Sequence, residues 1–279
     1  MKKKNLFKTI LTVVFAAIFL YSSYEIVIWI KDNNSSKKEY EYVTKDTKIN
    51  IIKDDDNIKV VNNNPDYYTL YKDVELIDVD FNNLLKTNSE TKGWLKVNNT
   101  NINYPFVKHK DNDYYLNHTF NKKKNGGGWI FLDYRNNANF EDFNTIIYGH
   151  GRQNKTMFGS LGYVLKKGYI DKKENQFIML STLDKNLTYQ IFSAYKVPNT
   201  SDYIKTSFNS DKEKEKFIKM IKNRNSISID VDVTKDDKIL TLSTCYNNDI
   251  KIVVHAKLVK YMERWYNTSD LKEDYYEGL

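Results

Sequence analysis

The chain has 279 residues, room for one good-sized core or two small ones, and 43 Lys and Arg against 36 Asp and Glu give it a formal charge of +7. The lysine excess is spread along the sequence rather than gathered into a basic stripe, which argues against nucleic acid as a partner. One cysteine and four histidines, none in a Cys-x-x-Cys or His-x-x-x-His spacing, exclude an internal disulfide and give no support to a metal or other cofactor.

Residues 1–30 stand apart. Lys2, Lys3, Lys4 and Lys8 form a positive flank, the run from Thr9 to Tyr24 is uncharged, and Glu25 interrupts before Ile26-Val27-Ile28-Trp29-Ile30. Taken together, residues 9–30 are long enough to cross about 30 Å of hydrocarbon, with Glu25 near the far interface. Ala16-Ala17 is followed by more apolar sequence, so a cleaved signal peptide is the poorer reading. Lysines ahead of the span predict an inside N-terminus, a single-pass anchor in the cell membrane and an extracellular location for the rest. Domains outside the cytoplasm usually pair their cysteines, which makes one lone thiol conspicuous.

Residues 31–66 are mixed in charge and rich in Asn, Asp and Lys, and read as a tether or loosely packed leader with room for a short helix or strand. A compact domain is expected from near Tyr67 to residue 260. Asp80 is placed to cap a turn ahead of Phe81, Leu84 and Leu85. Trp94–Val97 reads as a strand, Asn98-Asn99 as a turn, and Ile102–Val107 as an extended segment broken at Pro105. Gly126-Gly127-Gly128 forms a turn into the buried strand Trp129–Leu132, and Thr145–Tyr148 is a strand ending at Gly149-His150-Gly151. Phe177–Leu180 and Thr188–Tyr195 read as paired strands. Ser210–Asn223 changes to helical spacing, with Phe217, Ile218 and Ile221 as its apolar stripe. Strand character returns at Ile239–Ser243 and Ile252–Val259. Many short strands around one inserted helix predict a mainly β fold with helical additions, closed or nearly so. Residues 261–279 form a C-terminal tail in which Trp265, Tyr275 and Tyr276 are candidates to pack back on the domain.

Cys245 ends the run Thr241-Leu242-Ser243-Thr244-Cys245, just before the polar turn Tyr246-Asn247-Asn248-Asp249. It is either a small core hydrophobe or a reactive group. His150, flanked by glycines at a strand exit, is free of steric crowding and can reach into a cleft. His255 shares a strand face with Val253 and Lys257 and reads as structural or partly exposed, and His109 and His118 read as surface residues. A thiolate beside an imidazolium attacks carbonyl carbon without a metal, provided that a cation or backbone amide receives the oxyanion. On residue types alone, the pair remains in competition with a buried cysteine and an unrelated turn histidine.

Several blocks, in order from Leu76 to Lys260, resemble a class B sortase. They are Gly93-Trp94 with Asn101–Pro105, Asp113–His118, Gly128–Asp133 with Arg135-Asn136, Asn144–Gly151 with Thr156-Met157-Phe158, and Thr241–Cys245. The resemblance implies an eight-stranded sortase-type β-barrel and a membrane-anchored cysteine transpeptidase. Such an enzyme cleaves a Thr-x bond in a C-terminal sorting signal through a thioacyl intermediate. It then passes the protein to an amine of lipid II or peptidoglycan. Cys245 would be the nucleophile and His150 the acid/base, with Ser243 and Thr244 at the substrate. One departure stands out. Where the family usually has an arginine on the strand after the cysteine, this chain has Lys251, which keeps the charge but loses the planar fork. Three readings stay open: Lys251 itself serves in that role, another cation fills it with Arg152, two positions after His150, as the nearest candidate, or the chain is a weak or inactive sortase-like surface protein that binds sorting signals.

Overall fold

The computed structural model describes residues 2–45, 47–53, 55–61, 69–245 and 250–264. Its first element is its longest, the 44-residue helix α1 (Lys2–Lys45). No proline precedes Pro65 and no glycine precedes Gly93, so nothing breaks the helix where apolar sequence gives way to polar. An 18-residue window of α1 reaches a mean hydropathy of 1.9 with none of it buried against protein. An apolar helix surface left bare by its own protein is suited to lipid. The chain is thus single-pass, with one N-terminal membrane-spanning helix and its folded domain outside.

The described part of residues 31–66 contains helix and strand. α1 continues to Lys45, followed by the short strands β1 (Ile49–Ile52) and β2 (Lys59–Val60). β1 pairs antiparallel with β3 (Leu76–Val79). Beyond β3, Asp80 Oδ1 accepts from Asn82 N at 3.0 Å, closing a turn across Phe81, the N-cap of α2 (Asn82–Thr87), which itself makes no side-chain cap bond. The expected domain start near Tyr67 and the tail aromatics Trp265, Tyr275 and Tyr276 lie outside the described residues.

The domain is built on β4 (Thr91–Val97), β5 (Asn103–Val107), β6 (Phe131–Leu132), β7 (Asn144–His150), β8 (Phe177–Thr182), β9 (Lys185–Pro198), β10 (Ile239–Cys245) and β11 (Ile250–Glu263). They hydrogen-bond in the order β10-β7-β6-β5-β4-β8-β9-β11, and β10 pairs with β11 to close the ring. Eight strands therefore form a closed barrel, with β2 added to the far end of β11. The pairs β10–β7 and β5–β6 are parallel and the other barrel pairs antiparallel.

Pro105 does not interrupt β5: it pairs with Trp94 of β4, and β6 meets β5 only at Val107. The missing N–H falls where no ladder bond is required. Trp94, Leu95, Ile146, Ile147, Leu180, Tyr189, Leu240 and Val254 belong to the main buried apolar cluster, and consecutive pairs such as Trp94-Leu95 and Ile146-Ile147 face opposite sides of the sheet. Outside, α3 (Asp211–Asn223) lays Phe217, Ile218 and Ile221 over Phe192, Tyr195 and Val253. Ser210 caps α3, its side chain accepting from Glu213 N. This second layer explains why β9 and β11 are buried on both faces.

Candidate active site

β7 and β10 lie side by side in parallel register, Ile239 opposite Asn144 at one end and Cys245 opposite His150 at the other. Two residues 95 positions apart in the sequence thus meet on the last rung of one ladder. β11 returns antiparallel to β10 with Ser243 opposite Val253, a register that, two residues further, sets Lys251 level with Cys245. Lys251 is half-buried and pairs on its other side with Val197 of β9.

The residues before Cys245 hold their strand in place. Thr244 Oγ1 accepts from Ile252 N at 2.9 Å, and Ser243 Oγ lies 2.9 Å from Tyr203 Oη. Both side chains are buried, with these hydroxyl contacts directed to the protein itself.

His150 is half-buried, and its Nε2–H donates to the Leu116 carbonyl at 2.6 Å. Gly128 has φ 56°, and a Cβ there would lie 2.5 Å from Tyr115 O and 2.9 Å from His150 Cδ2. Only glycine lets the 115–128 segment come this close to the imidazole. Two residues before His150, Tyr148 donates to Asp133 Oδ2 at 2.9 Å, and Arg135 grips the same carboxylate from Nε and Nη2 at 2.9 and 2.6 Å. Burial alone would raise the Asp133 pKa, but these donors outweigh it and hold the carboxyl below its ordinary value.

Arg152 follows on the loop, its guanidinium turned toward α1. Nη1 donates to Ser36 Oγ at 3.2 Å and Nη2 to Asn33 Oδ1. A cleft of about 520 Å³ lies between helix and loop, lined by Glu25, Ile28, Trp29 and Asp32 on one side and by His150 and Arg152 on the other.

His255 lies elsewhere. It is fully buried under α3, with Nε2 accepting from the Tyr195 hydroxyl at 2.9 Å. Its Nδ1–H donates to Thr241 Oγ1 at 2.9 Å, and that hydroxyl in turn donates to Asn144 Oδ1 at 2.6 Å. Desolvation, aided by the charge of Arg224, lowers the His255 pKa to about 3 and keeps the ring neutral. His109 stacks on Tyr114 and contacts Glu90 Oε1 at 3.0 Å. Among the described residues no group of three or more His, Cys, Asp or Glu is placed to hold a metal ion.

The fold is that of an extracytoplasmic domain behind a membrane anchor, a closed mixed barrel with a cysteine and a histidine ending two parallel neighbours. The comparisons with known proteins narrow the class. A sortase-domain family model matches residues 95–259. Sortase B of Listeria monocytogenes is 32% identical over 264 residues, which make up 93% of this chain and 99% of that protein. The structure of sortase B from B. anthracis in complex with AAEK1 is similar with a TM-score of 0.66 at 31% identity, covering 83% of this chain and 99% of that one. A Staphylococcus aureus sortase B–substrate complex gives a TM-score of 0.60 at 36% identity, covering 64% of this chain and 84% of that one. The chain belongs to the class B sortases and is a cysteine transpeptidase that cleaves a sorting signal.

Proposed function

We propose that Cys245 is the nucleophile and His150 the acid/base of this transpeptidase. The observation that carries the assignment is their pairing across the β7–β10 ladder, because residues paired in register share one face of a sheet. The Cys245 thiolate attacks the carbonyl carbon of the scissile bond in the sorting signal. As the tetrahedral adduct collapses, the C–N bond breaks, His150 gives its proton to the leaving amine, and a thioacyl enzyme remains. A primary amine of lipid II or peptidoglycan then attacks the thioester. Its proton passes to His150, the C–S bond breaks, and Cys245 leaves as thiolate. With Nε2–H donated to the Leu116 carbonyl, proton transfer is assigned to Nδ1.

Lys251, level with Cys245 in the strand register, is the cation proposed for the developing oxyanion. Ser243 and Thr244 act by holding the substrate-facing end of β10. We further propose the division into an anchor in residues 1–30, a leader in 31–66, the catalytic domain in 67–260 and a tail in 261–279.

A labelled sorting peptide incubated with the enzyme and an amine acceptor tests the assignment. Wild-type protein should give joined product and an acyl adduct on Cys245 visible by mass spectrometry. Cys245→Ala should give neither, and His150→Ala should slow turnover by about 10²–10⁴-fold. Product formation at the wild-type rate by Cys245→Ala would sink the assignment.

A further inference from the structure

Past its apolar stretch, α1 presents one polar face to the domain. Asp32 Oδ2 accepts from Gly126 N at 2.9 Å, and its backbone carbonyl accepts from Asn125 Nδ2 at 3.1 Å. Ser36, only 2% exposed, donates from Oγ to Asn125 Oδ1 at 3.2 Å and accepts from Arg152 Nη1 at 3.2 Å. Asn33 Oδ1 accepts from Arg152 Nη2 and, at 3.0 Å, from Asn154 Nδ2. Further along, Glu39 Oε1 accepts from Asn121 N at 2.7 Å, and the Tyr40 and Tyr104 rings lie 4.7 Å apart. Positions 32, 33, 36, 39 and 40 fall at the three- and four-residue spacing of a single helix face.

Two loops receive that face, 121–126 and 152–154, and they belong to the two segments that hold His150. The first is continuous with Leu116, whose carbonyl takes the Nε2 proton, and with Gly128, which packs on Cδ2. The second follows His150 directly. Arg152 joins them to the helix: its guanidinium lies over Gly127, where a Cβ would fall 1.6 Å from Nη1. Burial pulls the pKa of this guanidinium down, partly offset by the charge of Asp32, and both of its side-chain acceptors on α1 are neutral oxygens. A desolvated cation on neutral partners is a poor stabiliser. What the arrangement does supply is a fixed geometry.

We propose that Asn33 and Ser36 of the anchor helix, acting through Arg152, are positioning residues for His150. On this assignment the first extracellular turns of α1 are a structural member of the active site. They set where the imidazole stands relative to Cys245, so the helix does more than tie the domain to the membrane. The proposal rests on the reading of His150 as acid/base.

The test uses the full-length protein in lipid nanodiscs, with a labelled sorting peptide and an amine acceptor. The Asn33→Ala/Ser36→Ala double variant removes the helix side of the contact. Gly127→Ala leaves α1 intact and puts a methyl where Arg152 Nη1 lies. Both should lose about 10-fold or more in kcat, the scale expected for a misplaced catalytic group. The peptide KM should stay within about twofold, and the pH limb of kcat/KM set by the imidazole should move. Ser36→Thr keeps the hydroxyl and should retain activity. If the double variant fails to fold, Gly127→Ala decides. Wild-type kcat and an unmoved pH profile in Gly127→Ala would overturn the proposal, as would the same result in a folded double variant. His150→Ala run in parallel separates the two ideas: wild-type turnover there removes His150 from the chemistry. Loss of turnover in His150→Ala beside full activity in the contact variants removes only the positioning role.

Discussion

At the scale of single residues, the rarity of the chemical types made the candidate site legible. One cysteine and four histidines leave few pairs to consider, and the glycines around His150 marked it out. What no residue type could announce was the ladder that sets Cys245 beside His150, because a pairing between strands nearly a hundred residues apart is a property of the closed barrel. Lys251 was legible as a departure, and it lies on β11 two residues before Val253, the partner of Ser243. Lys251→Ala should lower kcat by about 10²-fold while changing peptide KM less, as expected for an oxyanion donor. Lys251→Arg should retain turnover, and steady-state kinetics on the two variants checks both outcomes. His255 shows where residue-level reading stopped. Strand alternation correctly placed it on the face opposite Val254, Ala256 and Leu258, but the cover that α3 gives to that face is a tertiary fact. Tyr189 offers a further test: its hydroxyl is buried with no hydrogen-bond partner among the described residues. Tyr189→Phe should therefore stabilise the protein by about 1 kcal/mol, read as a higher denaturant midpoint with unchanged slope.

At the scale of elements, the strands and α3 were largely readable because their apolar periods are strong. Strand lengths were less so. β9 and β11 each run 14 residues, well past the apolar cores that marked them, because they pair with each other along nearly their whole length. The outer half of α1 was the main surprise. Its polar residues look like a solvated leader until the loops that accept them are folded. Arg264, just past β11, clamps this frame. Its Nε meets Asp78 Oδ1 at 2.8 Å, while Nη1 and Nη2 donate to the carbonyls of Thr182 and Val79 at 2.7 and 2.8 Å. Arg264→Ala should cost about 2–3 kcal/mol, since charge-assisted bonds at a largely buried head group are lost together. Chemical denaturation gives the value directly.

At the scale of the whole molecule, two buried ionisable groups make the stability depend on pH in the same direction. His255 titrates at about 3 when folded and near 6.5 as an unperturbed side chain. Between those values the unfolded chain binds a proton that the folded one refuses, so stability is full above about pH 6.5 and falls as the pH drops toward 3. Asp133, held below its ordinary value of 3.8, adds a loss at the acid end as its carboxylate is protonated. Melting temperature followed from pH 7 to 4 should decline, and His255→Gln should flatten that slope even if it lowers the starting value.

The cleft shared by His150 and α1 is lined by Glu25, Ile28 and Trp29, residues at the outer end of the apolar span. The consequence is one of dimensionality. If His150 is the acid/base as proposed, a reaction centre at that level meets partners that diffuse in a plane, and their density per unit area replaces bulk concentration as the governing variable. An acceptor amine carried on a lipid is then already concentrated around the enzyme, as for any tethered pair. In vesicles, transfer to a lipid-borne amine should follow its surface fraction and stay constant when the suspension is diluted. Transfer to the same amine free in water should fall in proportion to dilution.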